Sequence, residues 1–112
     1  MKVAISSNGK DLESQMSEVF ARCPYFIIVE VKEGEIEGFE VIKNEFSNQM
    51  AGAGISVSQL MAEKEVGAVI TKNLGPRAFE VLKQFGIEVW QGEGKIRDVL
   101  EKFIEGKLEK FE

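Results

Sequence analysis

Gly52-Ala53-Gly54-Ile55 and Asn73-Leu74-Gly75-Pro76-Arg77-Ala78 each stand where an extended segment gives way to a helix-periodic one. The first N–H groups of a helix have no internal partners and carry positive partial charge, so a helix start offers directional donors to an anion. Glycine at such a start lets a ligand come close to the backbone. Both segments also read as plain architecture, with Gly75 as an N-cap and Pro76 at the first helical position, where no N–H is needed. Chemistry therefore depends on whether the two starts meet. The sequence places the cations Arg22, Lys72 and Arg77, the thiol of Cys23, and the polar residues Ser7, Asn8 and Asn73 beside strand ends or helix starts.

Composition narrows what these groups can do. The chain of 112 residues is long enough for one domain, 1–112, with a real core. Its net charge of −5 argues against general nucleic-acid binding, which needs a cationic face. No apolar run approaches the about 20 residues of a membrane span, and the N-terminal Met1-Lys2-Val3-Ala4-Ile5-Ser6 reads as a strand rather than a signal peptide. One cysteine excludes an internal disulfide and fits a reducing cytoplasm. Histidine is absent, which removes the commonest metal ligand and the commonest general acid/base at neutral pH.

Periodicity supplies the elements that must position the candidate groups. A first strand runs from Lys2 to Ser6, followed by the turn-rich Ser7 to Asp11. Leu12, Met16, Val19 and Phe20 have helical spacing, and Pro24 ends that stretch. Tyr25 to Val31 reads as a central strand, Glu33-Gly34 as a tight hairpin turn, and Ile36 to Ile42 as a third strand with a bulge at Gly38. Asn44 to Ala53 is polar and small, a candidate mobile loop. Ala53, Val57, Leu60 and Met61 form one helical stripe. Ala78, Val81, Leu82 and Phe85 form a second, closed by Gly86. Ile96, Val99, Leu100, Phe103 and Ile104 form a third. Gly67 to Thr71 and Ile87 to Trp90 are the remaining strands.

The hairpin pairs strands two and three, and the later strands alternate with helices, which favours parallel pairing through right-handed crossovers. With strand one central, the layout is an α/β fold with a five-stranded mixed sheet in the order 3-2-1-4-5, only strand two antiparallel. That is a ribonuclease H-like arrangement. It gathers at one rim Ser7 and Asn8, Arg22 to Tyr25, Gln49 to Gly54, Lys72 to Arg77, and Gln91 to Gly94. Ligands of open α/β sheets sit outside the strand C-termini where chain direction from the sheet reverses. The candidate ligand-binding set is Ser7, Asn8, Arg22, Gly52, Gly54, Ile55, Lys72, Asn73, Gly75 and Arg77, with Cys23 as a candidate metal ligand.

At these residues the chain resembles the NifX/NifB-type dinitrogenase iron–molybdenum cofactor biosynthesis family over nearly its whole length. Met1-Lys2-Val3-Ala4-Ile5 resembles the family start. Ser17-Glu18-Val19-Phe20-Ala21-Arg22-Cys23-Pro24-Tyr25-Phe26 resembles its Ser-x-His-Phe-Gly-Arg-x-x-x-Phe segment. Gly52-Ala53-Gly54-Ile55 is similar to its Gly-Ala-Gly-Ile helix start, Gly75-Pro76-Arg77-Ala78 to its Gly-Pro-x-Ala segment, and Gly106-Lys107-Leu108 to its ending. The resemblance implies a ribonuclease H-like fold and the binding or carrying of iron–sulfur-containing precursors of the nitrogenase cofactor. Val19 and Ala21 stand where the family often has His and Gly. Without histidine, ligation of a cluster falls to Cys23, methionines, carboxylates or backbone amides.

Each singled-out group has a structural alternative. A lone cysteine is commonly a small buried apolar residue, although the neighbouring Arg22 would favour a thiolate. Cations beside loops are commonly solvated, and Met16 and Met61 serve as core fillers, with Met50 set apart in the loop at the rim. A nuclease needs carboxylates converging on strands for two metal ions, yet the only aspartates are Asp11, in a turn, and Asp98, in the last helix. No nucleophile–base pair is visible either, so catalysis is not expected. Two readings remain. One is a non-catalytic carrier for an anionic ligand, with an iron–sulfur or iron–molybdenum cluster precursor as the cargo that the resemblance implies. The other is a module that docks on a protein partner and binds no small molecule.

Overall fold

Val3, Ala4 and Ile5 are all fully buried, so the first strand is covered on both faces and must lie inside the sheet. A computed structural model, describing residues 1–111, places it there. The elements are β1 (Lys2–Ser7), β2 (Tyr25–Lys32), β3 (Glu35–Lys43), α1 (Ala53–Glu63), β4 (Val66–Thr71), α2 (Pro76–Gln84), β5 (Glu88–Gln91), α3 (Ile96–Ile104) and β6 (Glu109–Lys110). The sheet order is β3-β2-β1-β4-β5-β6. β1 pairs with β4, and β4 with β5, in parallel; the β1–β2, β2–β3 and β5–β6 pairs are antiparallel. The expected order is observed. The expected number of strands is one short, and β6 is a second antiparallel member. Glu109 and Lys110 are two polar residues without alternation to read, and pairing with Gln91 and Trp90 alone makes them a strand.

Alternation along the strands sorts the core into two layers. Ala4, Phe26, Ile28 and Val69 pack against Val57 and Met61 of α1 and Ala78 and Leu82 of α2. Val3, Ile5, Ile27, Val29 and Ile70 face the other way, onto Ile96, Val99 and Leu100 of α3 together with Leu12 and Met16. The hairpin turn has Glu33 at φ 53 and Gly34 at φ 78, both left-handed as a two-residue turn matched to strand twist requires. Pairing of Glu30 with Gly38 and of Val31 with Ile36 leaves Glu37 as the extra residue of a bulge beside Gly38.

The stretch from Leu12 to Phe20 is not helical, contrary to its spacing. Asp11 and Ser14 close a local turn, with the Glu13 N–H on Asp11 Oδ1 at 2.9 Å and the Ser14 N–H on the Asp11 carbonyl at 3.1 Å. Short polar side chains of this kind compete with helical bonding. The rest of the segment bonds outward: Met16 N–H to the Gly94 carbonyl at 2.7 Å, Ser17 N–H to the Ser6 carbonyl at 3.0 Å, and the Glu18 carbonyl to Asn73 N–H at 3.0 Å. Leu12, Met16 and Phe20 are buried as expected, but in an irregular strap.

Candidate functional site

The rim is divided into separate clefts. One, of about 510 Å³, is lined by Val19, Phe20, Ala21 and Arg22 from the strap, by Asn73, Leu74, Gly75 and Ala78 around the start of α2, and by Phe111. Gly75 caps α2 in extended geometry, at φ −69 and ψ 156, and no side chain bonds to the first turn. The first backbone bond of α2 runs from Phe79 N–H to the Gly75 carbonyl at 3.1 Å. Pro76 has no N–H, so the amides of Arg77 and Ala78 are the open donors of this turn among the described residues.

The start of α1 adjoins the same cleft. Gly52, at φ 74, caps the helix without a side-chain bond, and Ser56 N–H is the first to find a helical acceptor, the Gly52 carbonyl at 3.0 Å. A Cβ built on Gly54 would lie 3.1 Å from that of Ala78 and 3.9 Å from that of Ala21. The two helix starts therefore touch. Gly54 adjoins the cleft through Ala21 and Ala78, and Gly52, Gly54 and Ile55 do not line it. Ala53 is buried, so helix α1 begins inside the segment expected to be a mobile loop.

Arg22 brings positive charge to the cleft. Its Nη1 also donates to the carbonyls of Ser47 at 3.1 Å and Gln49 at 2.8 Å. Arg77 is exposed on the first turn of α2 and makes no ion pair among the described residues. Lys72 points elsewhere. Its Nζ sits 3.4 Å from Glu18 Oε1 and 3.0 Å from Glu93 Oε2, and it lines two other clefts rather than this one. The Glu93 hydrogen bond, with the charge of Glu18, raises its pKa. Ser7 and Asn8 are also occupied elsewhere: Ser7 Oγ donates to the Gly9 carbonyl at 2.8 Å, and Asn8 N–H donates to the Gln15 carbonyl at 3.0 Å. Of the expected convergence, the structure joins Arg22, Asn73 and Gly75 in one cleft, with Gly54 and Arg77 adjoining, and leaves Ser7, Asn8 and Lys72 outside it.

Cys23 does not line the cleft. It is fully buried, and its thiol donates to the carbonyls of Phe20 at 3.3 Å and Tyr25 at 3.2 Å. Burial pushes the thiol up from 9.0 to about 12, so the neighbouring Arg22 does not make it a thiolate. Among the described residues no group of three or more His, Cys, Asp and Glu side chains could hold a metal ion. No helix is long and apolar enough to cross a membrane.

Two contributors escape a reading of the sequence. Phe111 reaches the cleft because its N–H pairs with the Val89 carbonyl at 2.9 Å beyond β6, and its ring stands 6.3 Å from that of Phe79. Asn44 is almost fully buried and joins the strap to the loop after β3. Its Nδ2 donates to the carbonyls of Ala21 at 2.9 Å and Cys23 at 2.8 Å, and its Oδ1 accepts from Phe46 N–H at 3.0 Å. Neither residue belongs to a local pattern; both act through partners distant in the chain.

Comparison with known proteins adds to this geometry. Residues 1–106 match the family model described as dinitrogenase iron-molybdenum cofactor. The uncharacterized protein MJ0580 of Methanocaldococcus jannaschii is 41% identical over all of this chain and 92% of its own length. The apo form of the orange protein from Desulfovibrio gigas superimposes with a TM-score of 0.91 at 26% identity, over 98% of this chain and 92% of that one. The NMR structure of a NifB-like protein from Thermotoga superimposes with a TM-score of 0.82 at 40% identity, over 97% and 91% of the two chains. A match through nearly every element that builds the sheet and the cleft means that the chain belongs to the dinitrogenase iron-molybdenum cofactor family.

Proposed function

We propose that the protein is a small carrier of an anionic metallocluster, or of an iron–sulfur or iron–molybdenum precursor, held in the cleft between the strap and the start of α2. One observation carries this reading: Arg22, the start of α2 at Gly75 and Ala78, and the apolar residues Val19, Leu74 and Phe111 line one concave place. A sulfide-bridged cluster is negatively charged and presents large, weakly hydrated sulfur faces. N–H donors and apolar contact suit such a ligand together. Cys23 is buried and does not line the cleft, so in this reading the holding is by amides and charge, without a thiolate bond. Non-covalent holding suits a protein that passes its cargo on. That the orange protein was solved as an apo form supports a ligand-binding role for this fold.

The test is anaerobic purification followed by iron, molybdenum and sulfide analysis and a visible absorption spectrum. The wild type should take up a coloured, metal-containing anion, and Arg22→Glu should lose it while keeping its circular dichroism. A wild type that takes up none, together with an Arg22→Glu variant that no longer binds a partner protein, would establish the docking module instead. Val19, 44% exposed, and Met50, 98% exposed, would then be the apolar contacts.

A further inference from the structure

β3 is a sheet edge with two unlike halves. It is nine residues long and has β2 on one side only, whereas the opposite edge, β6, has two residues. An unpaired edge presents a row of free N–H and C=O groups, which folds blunt with bulges, proline or charge. The bulge at Glu37 and Gly38 blunts the first half of β3. The second half, from Phe39 to Lys43, pairs with β2 without a bulge and contains no proline. Asn44 N–H donates to the Pro24 carbonyl at 3.0 Å, and antiparallel bonding alternates along a strand. Asn44, Ile42 and Glu40 therefore turn their backbone groups toward β2, and Lys43, Val41 and Phe39 turn theirs outward. The same three residues share one face of the sheet, since Val41 lies opposite Ile27 and Phe39 opposite Val29, both in the α3 layer. Phe39 is 45% exposed, and Lys43 is exposed without an ion pair among the described residues.

We propose that this half of the edge pairs with the same segment of a second copy of the chain, antiparallel, about a two-fold axis at Val41. That register sets Val41 against its own counterpart and Phe39 against Lys43 of the partner subunit, twice by symmetry. All three residues turn their backbone groups outward, so each of these pairs exchanges both of its backbone bonds. The side chains complement one another as well. The Lys43 ammonium meets the aromatic ring of Phe39 of the partner subunit, and the two Val41 side chains fill the row between them. On the other face, Glu40 meets Ile42 of the partner subunit, and Lys64 Nζ, 4.0 Å from Glu40 Oε1, balances its charge. An axis at Phe39 would instead bring the bulge into the pairing and set Lys43 against Glu35, whose backbone groups bond to Lys32 across the hairpin. The pairing joins two sheets through their β3 edges, and it stands whether or not the cleft binds an anion.

The test is sedimentation and amide hydrogen exchange on the whole chain at rising concentration. The mass should climb from 12.5 kDa toward twice that by about 1 mM, the scale of a weak contact. Exchange at Phe39, Val41 and Lys43 should slow over the same concentrations, while exchange at Glu40 and Ile42, already bonded to β2, should not. Phe39→Lys sets like charges opposite one another at two places and should weaken the dimer by about tenfold or more. The double swap Phe39→Lys with Lys43→Phe recreates the pair in this register and should restore the dimer. A single species of 12.5 kDa up to about 1 mM would overturn the proposal. Self-association that leaves exchange at the three amides unchanged would overturn it too, by placing the contact on another face. A folded double swap as defective as Phe39→Lys alone would overturn the register at Val41. Slowing of the three amides only on addition of a different protein would give the edge to that protein's strand and overturn the pairing of copies.

Discussion

Gly54 and Ala78 bring the first turns of α1 and α2 into contact: a Cβ on Gly54 would stand 3.1 Å from the Cβ of Ala78. That separation is tighter than most Cβ contacts, so a side chain here requires the neighbouring helix to give by a few tenths of an ångström. The starts of the two helices touch because no side chain at Gly54 separates them.

Gly54→Val should therefore destabilise the protein by about 1–3 kcal/mol, the usual cost of overpacking a close contact. Urea unfolding checks it. Gly54→Ala should cost much less, because a gain of about 1 kcal/mol in helix propensity opposes the tight contact. A Gly54→Val variant as stable as the wild type would mean that the two helices separate freely.

Gly75 makes the opposite case. A Cβ there meets nothing within 4 Å, and its backbone angles suit any residue. Gly75→Ser supplies the missing N-cap and should stabilise the protein by a few tenths of a kcal/mol, about the difference between these caps. The same hydroxyl would accept from the N–H groups that an anion needs. Higher stability with weaker anion binding is the expected pair, read by thermal unfolding and by titration with molybdate.

The sheet order was legible because it depends on long-range regularities: buried strands such as Tyr25 to Val31, the Glu33-Gly34 turn, and two helices between parallel strands. The strap from Leu12 to Phe20 was not, because its apolar spacing fits a helix while its backbone partners lie in Ser6, Asn73 and Gly94. The candidate site was legible in part for the same reason. Arg22, Asn73 and Gly75 belong to local motifs. The direction of Lys72 is decided by Glu18 and Glu93, and the presence of Phe111 by the short strand before it. Those are tertiary facts without a local signature.

Arg22 and Lys72 should separate in function although both are rim cations. Arg22→Glu places a carboxylate at the cleft and should weaken binding of an anionic probe by about tenfold or more, since one hydrogen bond to a charged group is worth at least that. Lys72→Glu places a third carboxylate beside Glu18 and Glu93, outside the cleft. It should leave probe binding near the wild-type value and lower stability more at low salt than at high. Equal losses of binding in the two variants would argue for one continuous cationic rim.

Cys23 yields a prediction whose sign follows from its surroundings. Burial raises its pKa from 9.0 to about 12, so the folded protein keeps a proton that the unfolded chain releases above pH 9. Where the folded state binds more protons, stability falls as pH rises. The contribution is complete below pH 9 and is lost progressively as pH climbs from 9.0 toward about 12. Lysine and tyrosine titrate in the same range, so the quantity to measure is the difference between wild type and Cys23→Ser. Serine keeps a donor for the carbonyls of Phe20 and Tyr25 but does not ionise there. The two stability curves should run parallel below pH 9 and converge above it. The same burial predicts slow alkylation of the folded wild type at pH 8, and metal uptake in Cys23→Ser equal to that of the wild type. Rapid alkylation, or loss of bound metal in Cys23→Ser without loss of fold, would return the thiol to the site as a ligand.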